Sequence, residues 1–343
     1  MGDGDGGGRL RLRHHDAAQA LSSGFPSDAA GIVDLELDFA ARSAVGCAGC
    51  FALAERLQGL GQLQFLTLKL YSNGVGVEGC HALARAVGDL QRLEALTLWL
   101  YDNAIGAEGC RVLAEKLGGL RNLESLTLKL NMNGIGDEGC IALAEAFGNL
   151  RQLQDLAVDL ASNSIQKQGC IVLADKLSNL NLLMFLRLRL NQNTMEQDGC
   201  IALAETIGSL QRLELLSFDI FQNLVEDEGC EAIAERILGN LPQMRSLTVD
   251  LAHNMVGDKG CLAIAKRFAG LQQLESLTLA LFLNRIGDAG FKALAEQLGN
   301  LKQLRSLTLK ASNNNAATEG IQAMESLKAL ILQRPRGRAD LEW

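Results

Sequence analysis

Proline is nearly absent: Pro26, Pro242 and Pro335 are the only three in 343 residues. The long interval between the first two holds nothing that fixes φ or removes a backbone donor, so regular structure can run through it unbroken. Histidine is scarce too, limited to His14, His15, His81 and His253. None stands at a metal-ligand spacing or beside an identifiable nucleophile, and His81 is expected to face solvent on a helix. There is no P-loop and no H-E-x-x-H, and the opening GDGDGGG follows no strand, which a phosphate cradle needs. With no positive sign of catalysis, the expectation is a protein that is not an enzyme and takes no cofactor and no metal.

Other absences bear on location and partners. No stretch approaches the ~20 apolar residues of a membrane span. The basic residues of MGDGDGGGRLRLRHH have no apolar run behind them, as a secretory signal would. Gly6 stands where a myristoylation pattern needs Ser or Thr, and no N-x-Ser/Thr site occurs. The expected compartment is the cytoplasm. Acidic residues outnumber basic ones 40 to 32, for a net charge of −8, which argues against nucleic acid or an anionic membrane as the partner.

What is present is a repeat. Strings beginning at Leu66, Leu96, Leu126, Leu156, Leu186, Leu216, Leu247, Leu277 and Leu307 align at a step of thirty residues, with one extra residue near Leu238–Pro242. A looser copy starts at Leu35. Leu66, Leu68 and Leu70 alternate, as one face of a strand does. Cys80, Leu83, Ala84 and Val87 follow at i, i+3, i+4 and i+7, one face of a helix. A single strand–helix unit cannot bury both faces, so copies must stack. Strands sit ~4.8 Å apart and helices ~8–10 Å, so the stack is expected to curve with its strands inside.

Three further slots recur. Asn73, Asn103, Asn133, Asn163, Asn193, Asn223, Asn254, Asn284 and Asn314 share one, where an amide can donate and accept for backbone leaving the sheet. Glycines at 79, 109 and 139 imply close approach of helix to strand. Cys50, Cys80, Cys110, Cys140, Cys170, Cys200, Cys230 and Cys261 share the third. A whole-repeat spacing is too wide for a disulfide, so these eight are expected to be reduced and buried as small apolar residues. Cys47 alone is out of register. Its CAGC with Cys50 has no second pair to complete a zinc site.

Leucines at fixed offsets in copies of about thirty residues resemble the leucine-rich repeat family. The consensus L-x-x-L-x-L-x-L-x-x-N-x-I-G-x-E-G-C-x-A-L-A-x-x-L-x-x-L is most similar to the helix-containing, ribonuclease-inhibitor-like subclass. The usual segment is LxxLxLxxN, and this chain adds two residues to it. The resemblance covers roughly residues 32–332, about ten repeats. It implies an α/β solenoid, a horseshoe with a parallel sheet on the concave face and helices on the convex face. Residues 1–31 would be a flexible leader, with a possible cap over about 16–31, and 333–343 a C-terminal tail. In the last copy Glu325 and Lys328 replace apolar positions, as suits a capping repeat. The family implies a non-enzymatic scaffold that binds a protein partner through the concave face, and the chain is expected to be monomeric. Ran GTPase-activating proteins share the repeat type, but QRPRGRADLEW is not their acidic C-terminal tract. A ligand-sensing part of a larger receptor system is the other alternative.

The residues between the strand leucines should face the concave side. The first such position is mostly threonine, which suits exposed strands. The second varies: Asp38, Lys69, Trp99, Lys129, Asp159, Arg189, Asp219, Asp250, Ala280 and Lys310. Trp99 lies between Lys69 and Lys129 on neighbouring strands, with Tyr71 and Tyr101 just past the strand ends. Such rings either form a partner-binding patch or stack on one another and on lysine stems. Arg187 and Arg189 either contact the partner or pair with Asp159 and Asp219.

Overall fold

In the computed structural model each repeat begins with a strand of five or six residues whose alternate apolar side chains are buried. The structure describes residues 4–5, 9–14, 31–39, 41–335 and 337–342. The possible cap over about 16–31 lies, but for residue 31, outside the described residues. Two compact units divide the chain, 1–164 and 165–343.

In the first unit the strands are β1 (Gly4–Asp5), β2 (Arg9–His14), β3 (Asp34–Phe39), β4 (Phe65–Lys69), β5 (Ala95–Trp99), β6 (Ser125–Lys129) and β7 (Asp155–Asp159). β1 pairs antiparallel with β2, and from β2 to β7 neighbours are parallel. The helices are α1 (Gly46–Leu57), α2 (Gly76–Gly88), α3 (Gly106–Leu117) and α4 (Gly136–Asn149). In the second unit β8 (Phe185–Arg189), β9 (Leu215–Asp219), β10 (Ser246–Asp250), β11 (Ser276–Ala280), β12 (Ser306–Lys310) and β13 (Arg338–Glu342) are parallel in that order. Its helices are α5 (Lys167–Leu177), α6 (Glu196–Ser209), α7 (Glu226–Ala232), α8 (Asp258–Phe268), α9 (Asp288–Gly299) and α10 (Thr318–Leu332). The units are thus alternating strand–helix repeats of the α/β class, as the leucine pattern requires. Among the described residues no helix is long and apolar enough to cross a membrane.

Leu66, Leu68 and Leu70 of the first unit and Leu277, Leu279 and Leu281 of the second are buried, as the alternation demands. The asparagines form ladders. Asn103 Oδ1 accepts the Asn73 and Val75 N–H groups at 2.9 and 3.1 Å. Its Nδ2 donates to the carbonyls of Leu70 and Leu100 at 2.8 and 3.0 Å. Asn254 repeats the arrangement on Asn223, Val225 and Ile220. Each amide supplies partners to backbone that has left the sheet, where an unmade bond is costly.

The glycine slot departs from the sequence expectation. A Cβ on Gly79 would lie 3.2 Å from both Cβ and Sγ of Cys50, so the close approach is helix to helix. The Cys80 thiol in turn donates to the Gly109 carbonyl at 3.4 Å. Glycine and cysteine are therefore one device: the thiol is the knob and the next helix's glycine the space it enters. His81 also departs, being half-buried with Nε2 3.9 Å from Glu108 of α3. The extra residue near Leu238 is absorbed as a π turn, Ile233–Leu238, where Gly239 N–H donates to the Ala234 carbonyl at 3.0 Å. The widened turn brings the Arg236 carbonyl against Gly208, where no side chain would fit.

Both ends carry more structure than the sequence suggests. Arg9–His14 extends the sheet beside β3, although a flexible leader was expected there. Arg338–Glu342, within the expected loose tail, pairs with β12, and Leu341 is buried. The stripe of α10 runs through Met324, Leu327 and Ile331, bypassing Glu325 and Lys328.

None of the nine cysteines is in a disulfide; the eight in register are buried and Cys47 is half-buried. Burial, helped by the neighbouring Cys50, pushes the Cys80 thiol from the ordinary 9.0 to about 12. Burial and then Cys47 do the same to Cys50. Thiol titration of the native protein at pH 8 should therefore show only Cys47 reacting rapidly, with the other eight released by denaturant. Rapid labelling of most of them would refute this packing. The raised values carry a sign: the folded state holds its thiol protons where the unfolded chain has lost them. Stability should be fully present below the ordinary thiol value of 9.0 and should fall as pH rises from there towards 12.

Candidate functional site

A five-residue strand buried on one face leaves its alternate residues on the other. On β4, β5 and β6 these are Thr67 and Lys69, Thr97 and Trp99, and Thr127 and Lys129. The parallel register pairs Lys69 with Trp99 and Trp99 with Lys129. The indole therefore stands between two lysines on the helix-free face of the first unit. Lys129 Nζ lies 3.8 Å from the Trp99 ring centroid and Lys69 Nζ 4.9 Å, within the ~6 Å over which a cation is attracted to the ring face.

Lys69 is further tied to the first repeat. Its Nζ lies 3.0 Å from Glu36 Oε1 and 3.3 Å from Asp38 Oδ2. Burial opposes its charge, but the Glu36 hydrogen bond and the charges of Asp38 and Glu36 outweigh it, and its pKa rises above 10.5. Beyond the strand ends Tyr71 and Tyr101 stack at 4.8 Å with an interplanar angle of 8°, and Tyr71 meets Trp99 at 6.3 Å. Burial, then Tyr71 and Asp102, push the Tyr101 phenol pKa upward. All three rings are half-buried. The indole N–H of Trp99 is covered and donates to nothing among the described residues.

The structure thus brings five of the sequence candidates, Lys69, Tyr71, Trp99, Tyr101 and Lys129, into one cluster. The other two, Arg187 and Arg189, are exposed on the helix-free face of β8 in the second unit. Arg189 Nε lies 3.1 Å from Asp219 Oδ2. Asp250, paired with Asp219 in register, has a raised pKa. Burial is the chief cause and the charge of Asp219 adds to it, against a hydrogen bond from the Ala252 N–H.

Sequence reasoning missed a second aromatic group. Phe221 and Phe282 occupy the slot of Tyr71 and Tyr101 and stack at 5.9 Å across Ala252, with His253 6.0 Å from Phe221. The signal was available: each phenylalanine is the fifth residue after its strand's leading leucine. Glu36 and Asp38 were missed as partners of Lys69. Among the described residues no group of three or more His, Cys, Asp or Glu could hold a metal ion. The arrangement is equipped for contact through rings and charges.

Residues 122–144, 243–265 and 273–295 match the family model described as Leucine Rich repeat. No curated protein matches the sequence. Among solved structures, the crystal structure of the Rad7 and Elc1 complex in yeast is similar, with a TM-score of 0.47 and 17% identity over 96% of this chain and 80% of that one. The three matched stretches are leucine-rich repeats, and copies of the same pattern, joined by asparagine ladders, run along both units.

Proposed function

We propose that the protein is a non-enzymatic, monomeric scaffold that binds a partner protein through the helix-free face of its sheet, the face expected to be concave. In the first unit the contact residues are Trp99, Tyr71 and Tyr101 with Lys69 and Lys129. In the second they are Arg187 and Arg189. The observation that carries the reading is the placement of the chain's only two tyrosines and one of its two tryptophans together outside the core. Trp, Tyr and Arg are the types that dominate binding energy at protein interfaces. Neighbouring lysines hold the rings in place, so little side-chain freedom remains to be lost on binding. Buried thiols outside any disulfide support a reducing, cytoplasmic setting.

The test is titration of a partner, isolated by pull-down from the native cell, against wild type, Trp99→Ala and Lys310→Ala. Trp99→Ala should weaken binding by ~2 kcal/mol or more. Its fold should lose only about 1 kcal/mol of ring–cation and ring–ring contact. Lys310→Ala, at the matching slot of β12, should leave binding unchanged. Wild-type affinity in Trp99→Ala would mean that the rings serve only one another.

A further inference from the structure

Eight of the turns after strands are built on a buried Asn with left-handed backbone on one or both sides. In the first unit the flank after the Asn is Gly74, Ala104, Gly134 or Ser164, all small, with φ from 52° to 67°. In the second unit the same place holds Leu224 and Met255 at φ 59° and 61°, and the place before the Asn holds His253 and Leu283 at 56° and 55°. The first unit has one large apolar residue in these places, Met132. A left-handed conformation strains any residue with a Cβ, and glycine adopts it freely. Leu224 is also 46% exposed and Leu283 45%. Backbone strain and solvation both disfavour these side chains here.

They are not scattered. Leu224, His253, Met255 and Leu283 line one groove of about 640 Å³ that runs over the turns of four successive repeats. At the strand spacing its length is ~14 Å, the reach of about four extended residues. The His253 ring continues the apolar surface to Phe221 and, through it, to Phe282. No carboxylate lines the groove, and Arg285 is its one fixed charge. Arg285 makes no ion pair among the described residues, in a chain with 40 acidic side chains to 32 basic.

We propose that this groove docks a short peptide segment of a partner protein, one that presents apolar side chains to Leu224, Met255 and Leu283 and a carboxylate to Arg285. Strained, exposed apolar residues in adjacent turns mark a surface retained for contact, and the lone cation selects an acidic over a basic segment. The groove lies on the turns of the second unit and does not depend on the Trp99 cluster.

The experiment is selection of a random 12-residue peptide library on the wild-type chain, with depletion on the Leu224→Gly/Leu283→Gly double variant. Glycine already occupies the first of these places at Gly74 and Gly134, so the variant should melt at or above the wild-type temperature. Enriched peptides should combine Leu, Met or Phe with Asp or Glu. They should bind the double variant and Arg285→Glu at least about tenfold more weakly, and bind Trp99→Ala as they bind wild type. Failure to enrich, enrichment of basic peptides, or equal binding to the double variant would overturn the proposal. Loss of the peptides in Trp99→Ala would move them to the sheet face and overturn it as well. A wild-type dimer that the double variant abolishes would make the occupant a second copy instead.

Discussion

Asn133→Ala is expected to destabilise the protein by about 3–5 kcal/mol, although it removes no apolar contact. Asn133 is 4% exposed. Its Oδ1 accepts from the Asn103 N–H at 3.0 Å and the Ile105 N–H at 3.3 Å. Its Nδ2 donates to the Leu100 and Leu130 carbonyls at 2.9 and 3.0 Å. Alanine leaves these four backbone groups in a space that water does not fill, and each unsatisfied buried group costs roughly 1–3 kcal/mol before any relaxation. Hydrogen exchange locates the damage: the amides of Asn103 and Ile105 should lose protection in Asn133→Ala. Asn133→Asp keeps an acceptor for those two amides but sets a carboxylate against two carbonyls. It should therefore preserve their protection better while still lowering stability. A loss below about 1 kcal/mol, or unchanged exchange at Asn103 and Ile105, would mean that the ladder is dispensable.

That ladder was legible from the sequence because the Asn slot recurs in nine copies. The strand leucines and the cysteine slot were legible for the same reason. What repetition could not reveal is how one copy meets the next. The glycines at 79 and 109 recur as faithfully as the asparagines, yet their role depends on the cysteine of the preceding helix, a contact about thirty residues away. The extra residue near Leu238 was visible as a count, but nothing in the sequence says that a helix would widen to absorb it. The strand Arg338–Glu342 offers only Ala339 and Leu341 as an alternating pair. That is too little to register as periodicity, and the strand exists because β12 presents an unpaired edge. At the site, Tyr71, Trp99 and Tyr101 stood out as rare residue types in matching slots. Phe221 and Phe282 share the tyrosine slot but are commoner in this chain and so drew no notice. The groove was hidden for a different reason: its signature is large residues in left-handed backbone, and backbone conformation is written only in the structure.

Leu128→Ala should cost ~2–5 kcal/mol, the range for removing a leucine from a core that cannot fully collapse. Leu128 is completely buried on β6, aligned with Leu98 of β5 and Val158 of β7. Its neighbour Thr127 is half-buried on the opposite face, and Thr127→Ala should cost under about 1 kcal/mol, mostly strand propensity. The comparison matters more than either value. Side chains alternate along a strand, so a register slip of one residue exchanges the two faces throughout the sheet. Chemical denaturation of the two variants therefore tests the site as well as the core. Leu128 shares its face with Leu98, and Thr127 shares its face with Trp99, Lys129 and Thr97. If Thr127→Ala proves the more damaging, Trp99 points among the helices, the aromatic cluster is part of the core, and no partner can reach it. If Leu128→Ala is the more damaging, the indole lies on the helix-free face between its two lysines, where a partner's side chains can meet it.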